Sequence, residues 1–417
     1  MSRDDPRCPM LAPEGRLLCD ITQSWSAVGG GVGTYLRHKR RHILAETPHR
    51  HLLIVPGSED TVTEDGRAIT VTIASPKVPG SPNYRLMLRN GAVRKALDRY
   101  QPDLIECQDA YNLPWAAIGH ARRSPGTALV AAYCTDFPDV YVRRPFSRVL
   151  GKQIGGAASR LCYNYCRTLY RRFDALYAMS ENGGAAKLRE LGLEPEIVPL
   201  GVELGEFSPQ RRDDTIREAF GASATTPLLV YAGRIDREKR ANTVVEAFQQ
   251  LPRALNARLV MAGDGPLREE ILALGDPRIH APGYVANRDL LARLLASADL
   301  YVSGMANETF GISIIEAQAS GLPVVGVSAG AMIDRVDEAT GRLGPVGDSA
   351  AMSANIIEVL KGNHRAMGEA SAAKAREFGW DRSMKRLFGH VYPLAFRRSA
   401  ERRALAAKAL VGVFAEV

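Results

Sequence analysis

Residues 307–330 read NETFGISIIEAQASGLPVVGVSAG. Two glutamates, Glu308 and Glu316, stand eight positions apart, with Gly311 breaking the apolar run between them. The polar triplet Asn307-Glu308-Thr309 is a helix-start signal, and SGLPVVG is a turn followed by a short apolar strand. LYVSGM (300–305), just upstream, reads as a further strand. Strand, helix and strand in succession mark an α/β chain with a largely parallel sheet.

The same alternation extends in both directions. RLLCDI (16–21), HLLIVPG (51–57), AITVTIA (68–74), DLIEC (103–107) and ALVAAYC (128–134) are strand candidates in the first half. PLLVYAG (227–233), ARLVMAG (257–263), IHAPGYV (279–285), LYVSGM and PVVGVSA (323–329) form a more regular second series. Continuous apolar runs suit parallel strands covered on both faces. The two series meet near VPLGVELGEFSPQRRDD (198–214), rich in Gly, Pro and charge. The expected organisation is a disordered lead-in at 1–15, an N-terminal domain at 16–200, a linker at 201–214, a second domain at 215–380 and C-terminal helices at 381–417 that cross back to the first domain. Two such doubly wound domains imply a cleft, with ligands at the carboxyl ends of strands.

The 417 residues suit two domains of ordinary size, and 46% apolar with 24% charged residues is normal for a globular protein. Six cysteines show no CxxC spacing and read as reduced thiols of a cytosolic protein. No stretch approaches the roughly 20 apolar residues of a membrane span. Lys and Arg outnumber Asp and Glu by 54 to 46. The excess is concentrated: from Val140 to Phe173 there is no carboxylate but there are eight basic residues. Such clustering points to an anionic partner. Interleaved stacking aromatics on an exposed sheet are not apparent, so nucleic acid is not the expected partner.

Three stretches could carry chemistry. YAGRIDREKR (231–240) places Arg234 and Lys239 past the end of a strand, where a guanidinium fork and a compact ammonium can meet phosphate oxygens. VMAGDGPL (260–267) ends a strand in Gly263 and Gly265, which permit a tight turn beside a ligand. In the opening stretch, Phe310-Gly311-Ile312 brings backbone N–H groups to a helix N-terminus, a natural seat for a diphosphate. Glu316 lies about two turns further on, among Ile314, Ile315, Ala317 and Ala319, and in that apolar setting needs a hydroxyl, water or cation partner.

Together, GRIDREK, AGDGP, the glutamate pair Glu308/Glu316 and SGLPVVG resemble the donor half of the GT-B fold retaining glycosyltransferases of family 4. The resemblance implies two Rossmann-like doubly wound domains facing a cleft. It implies transfer of a hexosyl group from a UDP- or GDP-sugar to an acceptor hydroxyl, with retention, no cofactor and no metal. It assigns Arg234, Lys239 and Glu308 to catalysis, Glu308 to the donor sugar and Glu316 to the ribose hydroxyls. Gly263, Val285, Phe310, Gly311 and Ile312 complete the donor site. VGGGVGTYLRH (28–38) resembles the family's glycine loop, with Gly30 and Gly31 at the matching positions. GGGVG lacks the GxGxxG spacing of a dinucleotide site, which weighs against a nucleotide-sugar oxidoreductase or epimerase.

AAYCTDFPDVY (131–141) carries Cys134 where many members have a histidine, so no histidine role transfers. Its Tyr-x-Thr-Asp-x-Pro form resembles the branch of mannosyl- and sulfolipid-type transferases that act on lipids. Asp136 then either orients or activates the acceptor hydroxyl or caps the next helix. Arg160, Arg167 and Arg171 share one helical face, and Leu150, Ile154, Leu161, Tyr165 and Leu169 are read as a separate apolar face. A basic amphipathic helix over 148–172 suits an anionic membrane surface, and VPGSPNYRLMLRNGAVRK (78–95) is a second basic-apolar segment. The expected partner is a lipid or glycolipid acceptor at the inner face of the cell membrane; a soluble or polysaccharide-precursor acceptor is the alternative. His38 and His42, flanked by Lys39, Arg40 and Arg41, read as a solvated helix face rather than a metal pair.

Overall fold

The computed structural model describes residues 15–26, 30–78, 81–143, 146–147 and 151–415. The expected lead-in at 1–15 lies almost wholly outside the described residues, as do Arg144, Arg148 and Leu150. The chain divides into two compact units. One comprises Met1–Met179, Gly184–Val198 and Met384–Val417; the other comprises Ser180–Gly183 and Pro199–Ser383.

The first unit contains β1 (Leu17–Ile21), α1 (Gly31–Glu46), β2 (Arg50–Gly57), β3 (Thr61–Asp65), β4 (Ala68–Ala74), the short hairpin β5 (Lys77–Val78) and β6 (Ser81–Arg85), and α2 (Asn90–Tyr100). It continues with β7 (Leu104–Cys107), α3 (Leu113–Arg123), β8 (Ala128–Tyr133), α4 (Lys152–Tyr170), β9 (Ala175–Ala178) and β10 (Glu196–Ile197). Eight strands pair in the order β10-β9-β8-β7-β1-β2-β4-β3. All neighbours are parallel except β3 and β4. The fully buried strands β1, β7 and β8 are the apolar runs of the sequence. β3 (TVTED) is wholly exposed at the sheet edge, so no apolar pattern announces it. The C-terminal helix (Tyr392–Ala415) packs on β8 and β9.

The second unit contains β11 (Leu228–Ala232), α5 (Ala241–Gln249), β12 (Arg258–Ala262), β13 (Ile279–Gly283), α6 (Arg288–Ser297), β14 (Leu300–Val302), α7 (Ile312–Ala319), β15 (Val324–Val327), β16 (Gly341–Gly344) and α8 (Ser349–Lys361). Its six strands are all parallel, ordered β13-β12-β11-β14-β15-β16. Leu229, Tyr231, Leu259, Met261 and Val302 pack with Val244 and Phe248 of α5 and Met352 and Ile356 of α8. Burying each such side chain is worth about 1.5–3 kcal/mol. Each sheet is doubly wound and reverses direction once, between β1 and β7 in the first unit and between β11 and β14 in the second. Ligands of such sheets bind where the strand order reverses, outside the carboxyl ends of the strands.

The first core also holds charge. Lys39, expected on a solvated face, is 1% exposed. It lies on the Tyr35-Lys39-Ile43 line of α1 that faces the sheet. Its ammonium meets Asp20 of β1 at 2.8 Å and Glu106 of β7 at 2.9 Å, both carboxylates being wholly buried. Glu106 also accepts from Tyr35 (2.9 Å), Tyr177 of β9 (2.7 Å), Tyr392 of the C-terminal helix (2.7 Å) and Gln108 (2.6 Å). His51 Nδ1 accepts from Arg40 Nε at 2.9 Å, so its proton sits on Nε2, which donates to Asp20 at 2.7 Å. Burial favours the neutral forms, yet Lys39 and His51 hold the Asp20 carboxyl down at about 2. His42, the other half of the histidine pair, packs against Phe388 with ring centroids 5.1 Å apart.

Helix α4 corrects the expected face assignment. Its inward side is Gly155, Ser159, Cys166, Leu169 and Tyr170. Tyr165 is half-buried, accepting from Trp115 Nε1 at 3.0 Å and donating to the Tyr111 carbonyl at 2.6 Å. Ile154 and Leu161, placed on the apolar face with Leu169, are 51% and 72% exposed, whereas Leu169 is fully buried. At 100° per residue, Ile154 and Leu161 lie roughly 100–140° round the helix from Arg160 and Arg167, so the two pairs flank the outward side. The outward face is thus mixed, apolar on one flank and basic on the other; Arg171 is exposed just past the helix end.

Candidate active site

In the second unit, three chain segments leave the sheet beside the β11/β14 switch point. After β11 comes the loop Gly233–Arg240. Tyr231, the fourth residue of that strand, donates from its hydroxyl to the Arg234 carbonyl at 2.6 Å and fixes where the loop departs. The loop is laced to the one after β12: Gly233 N–H donates to the Ala262 carbonyl (3.1 Å) and Ile235 N–H to the Asp264 carbonyl (2.9 Å). A Cβ on Gly263 would lie 1.7 Å from the Gly233 oxygen, and one on Gly265 would lie 2.4 Å from the Ile235 oxygen. These glycines are therefore explained by loop-on-loop packing.

Arg234 and Lys239 leave this loop differently. Arg234 is half-exposed and pairs with Asp236 (2.6 Å) and Glu238 (2.7 Å) of its own loop. Lys239 is anchored by its backbone N–H on Asp236 (2.8 Å), and its ammonium reaches Glu308, across the switch point, at 3.3 Å. Tyr301 of β14 ties the two sides together, donating to the Ala232 carbonyl (3.1 Å) and accepting from Ser313 Oγ of α7 (2.9 Å).

Helix α7 begins at Ile312, later than the Asn307-Glu308-Thr309 signal suggested. Gly311 forms the N-cap in the left-handed region, φ +83°, where a side chain would be strained and its Cβ would meet Ile314 Cδ1 at 2.6 Å. With glycine there, no side chain caps the helix. Gly311 O takes the Ile314 and Ile315 amides, and the amides of Ile312 and Ser313 have no acceptor among the described residues. The loop before the helix is braced from behind. Ala331 N–H donates to the Glu308 carbonyl (2.8 Å), and Arg335 Nε donates to the Phe310 carbonyl (3.0 Å). The Arg335 guanidinium lies 4.5 Å from the ring centroids of both Phe310 and Phe378, and burial pushes its pKa down to about 10. Phe310 is itself buried, so its side chain is part of this brace. Nothing in the local sequence marks Arg335, because the Phe310 carbonyl and the two rings are brought to it by the fold.

Glu316 is 4% exposed. Burial raises its pKa, opposed by Arg288, whose Nη2 donates to Glu316 Oε1 at 2.9 Å. Of the hydroxyl, water or cation partners that the sequence left open for Glu316, the fold supplies a cation, Arg288, which the sequence did not single out. Val285 is half-buried in the loop leading to it, next to the exposed Tyr284. Lys239, Glu308, Gly311 and Ile312 are thus gathered around one switch point, whereas Glu316 turns to Arg288.

In the first unit, Gly30 (φ +104°) caps α1 and Gly31 is its first residue. The loop ahead of them is held by the buried Asp109, which accepts from Thr22 Oγ1 (2.7 Å), Gln23 N–H (2.8 Å) and Ser24 Oγ. Asp136 is buried past the end of β8. Its Oδ1 accepts from Tyr133 (3.0 Å) and Tyr163 (2.8 Å), and its Oδ2 from Lys187. Among the described residues every donor to its carboxylate is a side chain and none is a helix amide, which speaks against the helix-cap alternative. Cys134 donates to Gln108 Oε1 at 3.3 Å and so touches the buried Asp20–Glu106 network. Among the described residues no group of three His, Cys, Asp or Glu side chains could hold a metal ion.

Residues 29–206 match Glycosyltransferase Family 4, and residues 226–362 match Glycosyl transferases group 1. Over 349 residues the chain is 30% identical to a GDP-mannose-dependent alpha-(1-6)-phosphatidylinositol dimannoside mannosyltransferase of Mycobacterium tuberculosis, covering 80% of this chain and 85% of that one. The chain belongs to glycosyltransferase family 4. This family 4 enzyme is also 25% identical over 313 residues to a sulfoquinovosyl transferase of Arabidopsis thaliana, covering 71% of this chain and 58% of that one. Its fold matches that of a sucrose-phosphate synthase from Thermosynechococcus elongatus, with TM-score 0.71, 20% identity and coverage of 94% and 100% of the two chains. The glycosyltransferase therefore has the GT-B fold, and the oxidoreductase or epimerase alternative is set aside.

Proposed function

We propose that the chain is a retaining, metal-independent hexosyltransferase that moves a mannosyl or related group from a GDP- or UDP-sugar to a hydroxyl of a membrane lipid or glycolipid. The observation that carries this reading is the uncapped start of α7 beside the Lys239–Glu308 pair. Two amides without acceptors among the described residues and the Lys239 ammonium lie in the loops at the switch point, where a diphosphate leaving group would gather negative charge. Preorganised donors aimed at developing charge are the largest single contribution in many enzymes. Arg234 is the second cation of this set, released from Asp236 and Glu238 when a diphosphate competes for its fork. Glu308 then takes hydroxyls of the donor sugar and Glu316 those of the ribose. Asp136, with both oxygens engaged, orients the acceptor through its tyrosine and lysine partners.

The mannosyl and lipid parts rest on the activity for which the mycobacterial relative is named. Thermal melting with GDP-mannose and with UDP-glucose is the first test: at a hundred times Kd, the true donor stabilises the fold by about 2.7 kcal/mol. Transfer is expected to persist in EDTA. Activity that vanishes there and returns with Mn²⁺ would remove the metal-independent reading.

No helix among the described residues is long and apolar enough to cross a membrane. The reading that fits is peripheral docking on the cytoplasmic leaflet through the outward face of α4, where Ile154 and Leu161 lie beside Arg160 and Arg167. Each basic residue contributes about 1 kcal/mol near an anionic surface, and salt screens the attraction. The protein is expected to sediment with vesicles containing phosphatidylserine at low salt and to be released as salt rises. Arg160→Glu with Arg167→Glu and Arg171→Glu should weaken sedimentation at least tenfold while leaving nucleotide binding intact. A folded triple variant that sediments like the parent favours the soluble or polysaccharide-precursor acceptor instead.

A further inference from the structure

Arg288 has a role that its neighbours define. It is the first residue of α6, after the Asn287 cap, where a cation opposes the helix dipole. It does not serve the helix, and its bonds run elsewhere. One nitrogen, Nη2, donates to Glu316 Oε1 at 2.9 Å and to Glu206 Oε2 at 3.3 Å. Its guanidinium lies 4.7 Å from the ring centroid of Phe207. Two carboxylates, one of them 4% exposed, thus share a single guanidinium held against an aromatic face. Only Oε1 of Glu316 is taken; its Oε2 accepts no hydrogen bond among the described residues.

A carboxylate this buried loses its charge or its direction unless something supplies a counter-charge and a fixed hydrogen bond. We propose that Arg288 is a positioning residue for nucleotide recognition: bridging Glu206 and Glu316, it fixes the Glu316 carboxylate so that the remaining oxygen takes the ribose hydroxyls. Arg288 itself touches no part of the nucleotide in this scheme. The inference deepens the donor-site reading of Glu316 and rests on it. A consequence is that Arg288 governs discrimination of the sugar of the nucleotide, not affinity for its diphosphate, which belongs to Lys239 and the start of α7.

The test is calorimetric binding of GDP and UDP to the full chain, each compared with its 2′,3′-dideoxy form. The wild type is expected to prefer the ribonucleotide by about tenfold or more, the scale for a hydrogen bond to a charged acceptor. In Arg288→Ala that preference should fall towards one, with affinity for the dideoxy form within about twofold of wild type. Arg288→Lys should recover part of the preference, since an ammonium can still pair with Glu316. Should the alanine variant fail to fold, Arg288→Met keeps the packing on Phe207 and carries the same expectation. A variant that discriminates as well as the wild type overturns the proposal, as does one that loses ribo and dideoxy forms equally. A wild type that binds neither nucleotide, or does not discriminate at all, overturns the donor-site reading and the role of Arg288 with it.

Discussion

Arg234→Ala is expected to lower turnover about a hundredfold or more, the scale for losing one charge-stabilising group in a preorganised site. The residue lies in the loop after β11 that also carries Lys239. In the free chain its guanidinium is occupied by Asp236 and Glu238. A half-exposed cluster within one loop contributes little to stability, so the folded fraction of the variant should match the parent. The loss should fall on kcat and kcat/KM together, because the charge on the leaving diphosphate develops in the transition state. Lys239→Ala should behave similarly and also release Glu308. Steady-state kinetics on a variant of unchanged melting temperature decides the matter. Turnover within threefold of wild type would take Arg234 out of the catalytic set.

The second large effect concerns the core. Lys39→Met is expected to destabilise the fold by about 3–5 kcal/mol, the cost of leaving a buried ion network without one partner. Asp20 and Glu106 are both fully buried, and Lys39 is the ammonium between them. The double variant Lys39→Met with Asp20→Asn should recover part of the loss, because one of the stranded charges goes with it. Urea unfolding at pH 7 measures both, and a single-variant loss under about 1 kcal/mol would contradict the assignment. The same network predicts acid sensitivity. Asp20 is held at about 2, below its ordinary 3.8. A depressed carboxyl stabilises the fold above the unfolded value and loses that contribution as pH falls through the folded one. Stability should therefore drop between about pH 4 and pH 2, and less so in Asp20→Asn.

Both positions bear on what could be read without coordinates. The alternation of apolar runs with helical patterns specified an α/β chain with parallel sheets, since strands covered on both faces have no polar side to show. Strand positions such as HLLIVPG and ALVAAYC emerged to within a residue or two. The elements of the proposed phosphate site could be picked out because they are local: a strand end, a short loop and a helix start each fit within ten residues. Three things were not legible. β3 is an exposed edge strand held by pairing with β4 and by the Tyr100 hydroxyl on Glu64, and TVTED carries no burial signal. The outward face of α4 mixes Ile154 and Leu161 with Arg160 and Arg167, so hydrophobicity alone put two exposed residues on the wrong side. Lys39, Arg288 and Arg335 are charged residues whose surroundings come from distant segments.

The sequence by itself determined where the buried strands lie, the repetition of one doubly wound plan, and the charged and glycine-rich loops at strand ends. Only the tertiary structure decided which cation serves which carboxylate: Lys39 for Asp20 and Glu106, Lys239 for Glu308, Arg288 for Glu316. Tyr392 reaches Glu106 across 286 positions of chain. The physical reason is one of range. Periodicity records how each residue meets the solvent, a property of its own element. The partner of a buried charge is fixed by which elements the sheet order brings side by side, and no local pattern encodes that.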